Sequence, residues 1–260
     1  PISTISAVGV VTLDDQGDAL ETLNLSGNGA AVTYTIDTTL GATTITGSGT
    51  QVVNVTTGAD DLDGITATGL GTVTMNLAAT GAVDLTAVTA STISLGAFNH
   101  AAQNFTVATG SSLVIGTDQV GLDVFAATDN GTVTITTADD VAGSAVGTIT
   151  LGAADLNDTN DFSAVALVAS DAHLTATTFD VADATVTVTG SRNVDLGTVT
   201  ATSVNATGLS GTFDAAMTAT LATLSGSTGV NTVSMNGAVA MNLTTFDGNY
   251  VITVTVVSDG

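Results

Sequence analysis

A chain of 260 residues with a net charge of −23 and a single basic side chain, Arg192, cannot neutralise phosphates, which excludes nucleic-acid binding. No Cys is present to form disulfides, and no apolar run approaches the roughly 20 residues needed to span a bilayer, so we expect no membrane insertion. Thr, Val, Ala and Gly predominate and Glu21 is the only Glu, so the polar residues of an amphipathic helix are lacking. The composition predicts an all-β protein.

Short β-like runs follow one another along the chain. Each has about five residues, and Gly, Asn, Asp or Ser recurs between them about every 8–12 residues. In chain order the clearest runs are 20–25, 32–36, 51–55, 72–77, 91–95, 132–136, 148–151, 184–188 and 250–256. Apolar and polar residues alternate in 32–36 and 185–189, which predicts one buried side and one solvent-facing side. This rhythm is compatible with a sandwich, a barrel or a solenoid.

Internal repeats favour the solenoid. Residues 83–93 and 194–204 share the pattern V-D-L-x-x-V-T-A-x-x-[IV], and Gly-Thr-Val-Thr begins at Gly71, Gly131 and Gly197. These spacings fit stacked coils of about 20–22 residues. We therefore predict a right-handed parallel β-helix (β-solenoid) over 1–260, a single segment of a longer protein, with a loop at 155–162. Tandem Ig-like β-sandwiches are the alternative.

The segment Ala19-Leu20-Glu21-Thr22-Leu23-Asn24-Leu25-Ser26-Gly27 resembles a recurrent strand of bacterial S-layer and RTX-type secreted surface proteins. The resemblance implies a β-helical, exported, extracellular protein that folds with Ca²⁺ and assembles into a lattice on the cell surface. The calcium-binding nonapeptide of that family, G-G-x-G-x-D, is absent, because the chain contains no Gly-Gly pair. No calcium ligand of the family therefore transfers to a residue of this chain.

Three acidic clusters are candidate calcium sites. Ca²⁺ takes six to eight oxygen ligands, and each cluster offers about half of that number from side chains. The alternative is that these Asp and Asn residues only form and cap surface turns. None of the clusters has the EF-hand spacing. The candidate ligands are Asp14, Asp15, Asp18, Asp60, Asp61, Asp63, Asp155, Asn157, Asp158 and Asp161.

Catalytic groups are scarce. His100 and His173 are the only imidazoles and belong to no metalloprotease motif, and no nucleophile elbow or phosphate-binding loop occurs. Paired Asp residues hydrolyse glycosides in some enzymes, but sugar-binding clefts usually carry aromatic residues, and this chain has no Trp and two Tyr. We expect no enzyme.

The sequence therefore predicts a structural component of an extracellular surface layer or filament, self-assembling and stabilised by Ca²⁺. Its partners are expected to be other copies of itself and a surface glycan or lipopolysaccharide. One alternative is an adhesin stalk or an ice- or glycan-binding module, since the recurring Thr-x-Thr pairs would present hydroxyl ladders on a flat face. A second alternative is a polysaccharide-active enzyme on a β-helix.

Overall fold

The computed structural model describes fifteen stretches of the chain, and the structural statements below concern these residues. They are 2–4, 11–13, 22–24, 33–36, 44–47, 51–57, 66–77, 82–95, 104–116, 119–138, 148–156, 161–218, 223–236, 242–244 and 249–255. No helix in these stretches is long and apolar enough to cross a membrane.

The described residues form twenty-two β-strands in one hydrogen-bonded system. In chain order these are β1 Ile2–Thr4, β2 Val11–Leu13, β3 Thr22–Asn24, β4 Thr33–Ile36, β5 Thr44–Thr46, β6 Val52–Thr57, β7 Thr66–Leu77, β8 Ala82–Leu85, β9 Val88–Leu95, β10 Asn104–Val107, β11 Ser111–Ile115, β12 Gln119–Ala126, β13 Gly131–Thr137, β14 Thr148–Asp155, β15 Phe162–Ala169, β16 His173–Gly190, β17 Val194–Leu209, β18 Phe213–Met217, β19 Thr223–Ser225, β20 Asn231–Asn236, β21 Asn242–Thr244 and β22 Tyr250–Thr255.

Every pairing among these strands is parallel, and most strands pair with strands in the coils before and after them. One sheet, called sheet one, runs through β8, β10, β12, β14, the first halves of β16 and β17, then β18, β20 and β22. Sheet two runs from β2 through β4, β6, the second halves of β7 and β9, β11, β13, β15, and the second halves of β16 and β17 to β19 and β21. A third series links β1, β3, β5 and the first halves of β7 and β9.

This is the predicted fold, a right-handed parallel β-helix. Parallel pairing throughout the described strands is incompatible with Ig-like sandwiches, whose sheets are antiparallel. Partners in adjacent coils are mostly 18–25 residues apart, as in Val194↔Phe213 and Ala164↔Thr185, close to the expected coil length. From β12 to β14 the interval is 32 residues, as in Gln119↔Leu151, and it includes residues 139–147, which lie outside the described residues.

The core is a set of aliphatic columns that run along the solenoid. Val165, Val186, Val204 and Leu224 occupy one register position in four successive coils, and each is at most 1% exposed. A single coil cannot enclose these side chains, because each is covered by its neighbours in the coils before and after it. Burying one such side chain stabilises the fold by about 1.5–3 kcal/mol, so stability accumulates coil by coil.

Phenylalanine contributes more to the core than the low aromatic content suggests. The largest fully buried side chains include Phe105, Phe162, Phe179 and Phe213. Phe179 has the small Ala154 in register on one side and a Val on the other, so neighbouring coils provide the space that the ring needs. At this position the small side chain of Ala154 in the preceding coil leaves room for the larger ring.

Two polar side chains inside the solenoid form hydrogen bonds with backbone groups of the turns between coils. Asn231 is fully buried, and its Oδ1 accepts from the Ser227 backbone N–H at 2.7 Å. Its Nδ2 donates to the carbonyls of Ser227 and Gly229, at 3.0 and 3.1 Å. The buried Thr137 hydroxyl donates to the Ala172 carbonyl at 2.8 Å. Since a buried polar group without a partner costs stability, these bonds allow polar residues to occupy inward positions.

Candidate functional site

The predicted calcium ligands fall mainly outside the described residues. Only two of them are described. Asp155 is the exposed last residue of β14, and Asp161 is half-buried just before β15. The predicted loop at 155–162 therefore has both of its ends in or beside strands, and residues 157–160 lie outside the described part. Those candidates that cannot be placed are Asp14, Asp15, Asp18, Asp60, Asp61, Asp63, Asn157 and Asp158.

Asp155 belongs instead to a column of carboxylates that the local sequence does not reveal. Its register partners are Asp123 in β12 and Asp180 in β16, so three Asp residues share one position in three successive coils. We call them the carboxylate column. Register partners in adjacent parallel strands lie about 4.8 Å apart. Coil stacking therefore brings together residues from three separate stretches of the chain.

Asp180 is the poorly solvated member of the carboxylate column. Its Oδ1 is buried and has no hydrogen-bond partner among the described residues. Burial raises the pKa of Asp180, and the neighbouring Asp155 raises that pKa further, while a backbone hydrogen bond from Ala182 opposes both effects. A carboxylate in this position lacks part of the solvation that its charge requires, which is the environment in which a cation is attracted.

The carboxylate column offers a cation side-chain oxygens from adjacent coils but not a complete cage. No group of three His, Cys, Asp or Glu side chains is placed to hold a metal ion anywhere in the described stretches. Two neighbouring carboxylates, such as Asp155 and Asp180, are a fitting partial ligand set for Ca²⁺, which also accepts carbonyl and water oxygens.

A second site lies on the same sheet, several residues earlier along each strand. A groove of about 260 Å³ opens on the outer side of β16, β17 and β18. Thr148, Leu174 and Val194 form part of its lining. Six further polar side chains, which we call the polar groove, complete it, namely His173, Thr175, Asn193, Asp195, Thr212 and Asp214.

Hydrogen bonds between coils fix two side chains of the polar groove. The Asn193 backbone N–H donates to Nδ1 of His173 at 2.8 Å. The His173 imidazole must then carry its proton on Nε2, which leaves Nε2–H as a hydrogen-bond donor. In the next coil, Oδ1 of Asn193 accepts from the Thr212 N–H at 3.1 Å, which leaves the Nδ2 group as a donor. These side chains are therefore held in place before any ligand arrives.

Two carboxylates provide the acceptors of the polar groove. Asp195 and Asp214 are half-buried register partners in adjacent coils. Oδ1 of Asp195 accepts from the Gly197 N–H at 3.0 Å. Arg192 donates from Nε to the Ser170 carbonyl at 3.1 Å, and no ion pair joins it to either carboxylate within the described stretches. Both negative charges therefore face the groove.

The Thr-x-Thr pairs do not build an uninterrupted hydroxyl face on sheet one. Thr175 has Asp195 as its register partner in the next coil, and Asp195 has Asp214. Thr198 is followed by Ala216. Side chains of a different kind therefore break both ladders within one or two coils, which does not favour the ice-binding alternative on this face.

Sequence analysis missed the polar groove as a site. His173 was identified only as an isolated imidazole, and Asp195 only as part of a repeat. The useful signal is spacing by one coil, because Asn193 follows His173 by 20 residues and Thr212 follows Asn193 by 19. Polar residues at this interval share one column once the fold is a solenoid, whereas clusters that are contiguous in sequence mark turns.

Comparison of this chain with protein-family models, with curated proteins and with solved structures finds no match. The resemblance of residues 19–27 to bacterial surface-layer proteins therefore stays a prediction from the sequence.

Proposed function

We propose that this chain is a structural element of an extracellular surface layer or filament, that it self-assembles through copies of itself, and that Ca²⁺ stabilises it. Its role is mechanical rather than catalytic. The observation that carries the proposal is the unbroken parallel pairing of sheet two from β2 to β21, which makes the chain a stack of similar coils.

Stacked coils suit such a role for a physical reason. Each coil contacts only its neighbours, so the solenoid gains length without needing a larger core. A long, regular outer surface then offers the same kind of contact repeatedly, which is what a layer or filament requires.

Charge supports the calcium part of the proposal. A net charge of −23 with a single Arg gives strong self-repulsion, which divalent cations relieve. The carboxylate column places Asp155 beside Asp180, and Oδ1 of Asp180 lacks a hydrogen-bond partner among the described residues. A cation at this pair would compensate two negative charges and satisfy that oxygen.

The test is thermal unfolding and electron microscopy of the purified chain in Ca²⁺ and in chelator. With about 10 mM Ca²⁺ and a Kd of about 0.1 mM, binding stabilises the fold by about 2.7 kcal/mol. We expect a clear rise in Tm and ordered sheets or filaments only with Ca²⁺. An inert monomer with the same Tm in both conditions contradicts the proposal.

Variants identify the responsible site. We expect the double substitution Asp155→Asn with Asp180→Asn to remove part of the calcium-dependent rise in Tm. Asp171→Asn is the matched control, because Asp171 is an exposed carboxylate in the turn between β15 and β16. If the double variant keeps the full rise, the carboxylate column is not the site. Asn substitutions at 14, 15 and 18, and at 60, 61 and 63, then test the other two clusters.

A further inference from the structure

We propose that the polar groove is a binding site for neutral saccharides. The inference does not rest on the proposed structural role, because a solenoid that never assembles would still present this groove. It rests on the kinds of hydrogen-bonding groups that six side chains from three adjacent coils bring together.

The groove combines donors and acceptors at fixed positions. Its donors are Nε2–H of His173 and the Nδ2 group of Asn193, both oriented by backbone hydrogen bonds from the following coil. Its acceptors are the carboxylates of Asp195 and Asp214, and the hydroxyl of Thr212 both donates and accepts. A sugar hydroxyl also donates and accepts, so a saccharide satisfies both kinds of group.

Other ligand classes fit this set less well. A metal ion uses only electron-pair donors, so it leaves the two N–H donors unused, and no group of three potential ligand side chains occurs within the described stretches. A Lys or Arg side chain of a cationic peptide offers only N–H donors, which the two carboxylates accept but which leave Nε2–H of His173 and the Nδ2 group of Asn193 without an acceptor from that side chain. An anionic polysaccharide is repelled by Asp195 and Asp214. A neutral polyhydroxylated ligand therefore remains.

The groove has room for part of an oligosaccharide rather than for a large compact molecule. Its volume of about 260 Å³ lies below the range of about 300–1,000 Å³ that is typical of pockets for drug-sized ligands. Along the solenoid axis the column of Asp195 and Asp214 continues through Thr232 to Val251. Val251, at the end of this column, is 57% exposed.

Calorimetric titration of the purified chain in chelator, with neutral gluco-, manno-, galacto- and N-acetylglucosamine oligosaccharides, tests the proposal. We expect at least one series to bind. Asp214→Asn should weaken binding about tenfold, or about 1.4 kcal/mol. Asp214 forms no hydrogen bond with another described residue through its side chain, so this variant should fold normally, which a circular-dichroism melt checks.

Two control variants and two control ligands make the test decisive. Asp171→Asn and Asp84→Asn change exposed carboxylates outside the polar groove and should bind as the native chain does. Absence of binding by every neutral series up to about 10 mM, a Kd above about 10 mM, overturns the proposal. So does unchanged affinity in Asp214→Asn. Binding of Ca²⁺ alone or of a lysine-rich peptide, sensitive to Asp214→Asn and without saccharide binding, assigns the groove to a cation instead.

Discussion

The two copies of the V-D-L repeat form the same side-chain hydrogen bond in different surroundings. Oδ1 of Asp84 accepts from the Thr86 N–H at 2.9 Å, and Oδ1 of Asp195 accepts from the Gly197 N–H at 3.0 Å. Asp84 is nevertheless exposed, with Thr106 as its register partner, whereas Asp195 is half-buried beside Asp214. The local sequence determines this hydrogen bond, while the adjacent coils determine whether the carboxylate contributes to a site.

Register explains why the surroundings differ. Thr106, the register partner of Asp84, has its own partner in β12 two residues after Asp123. The register column of Asp123 continues coil by coil to Thr200 in β17. Asp195 lies five residues before Thr200, so the two copies occupy different points around the coil. The repeat is therefore a recurring side-chain hydrogen bond and not a recurring coil position.

The residue after the repeat's Leu is the sharpest point of difference between the copies, because it is Thr86 in one and Gly197 in the other. Gly197 has φ +56°, and a Cβ there would lie 2.2 Å from the Thr177 carbonyl oxygen of the preceding coil. The left-handed backbone costs a non-glycine residue about 1–2 kcal/mol, and overpacking adds about 1–3 kcal/mol. Gly197→Ala should therefore destabilise the fold by about 2–5 kcal/mol, measured by urea unfolding.

Thr86→Ala is the matched control for the glycine. It shortens a side chain at the equivalent position of the repeat, where the backbone has no positive φ, so the free energy of unfolding should change by less than about 0.5 kcal/mol. Equal stability of Gly197→Ala and the native chain would show that a Cβ at position 197 fits beside the Thr177 carbonyl without destabilising the fold.

The same contrast explains what the sequence could and could not predict. Alternation in 185–189 and the five-residue rhythm were sufficient for the strands, because inward side chains recur every second residue along each strand, and the internal repeats favoured the solenoid over a sandwich or a barrel. The polar groove was not predictable in this way, because Asp195 and Asp214 become neighbours only when the coil length is known to within one residue. The interval varies from 18 to 25 residues in most pairs and reaches 32 at β12–β14, so register had to come from the structure.

Asp180 is a poorly solvated carboxylate, in contrast to the exposed Asp84. Its pKa in the folded chain is raised by burial and then by Asp155, above the ordinary value of 3.8. The folded state therefore binds this proton more tightly than the unfolded state does. The resulting stability is fully present below the unfolded pKa and is lost as pH rises through the folded pKa.

Asp180→Asn removes this loss, since the amide carries no charge at any pH. In chelator the variant should be more stable than the native chain at pH 7, by about 0.5 kcal/mol for relief of a like-charge pair. The difference should shrink toward pH 3, as followed by urea unfolding at each pH. Asp84→Asn, which has no carboxylate as its register partner, should show no such trend. A difference that grows on acidification would reverse the sign of the effect and contradict it.

The smallest expected effect is the change in stability when one negative charge is removed from either copy of the repeat. Asn keeps the side-chain oxygen that caps the turn, so Asp84→Asn should leave stability nearly unchanged. Asp195→Asn also removes the repulsion between Asp195 and Asp214, and like charges in register destabilise a sheet by about 0.2–1 kcal/mol. We therefore expect a gain of a few tenths of a kcal/mol for Asp195→Asn, measured by urea unfolding in chelator. Salt screens partly exposed charges, so this gain should fall in about 1 M NaCl, where the Debye length is about 3 Å. A gain that salt leaves unchanged would come from the altered turn, and the two corners would then differ in hydrogen bonding and not in charge.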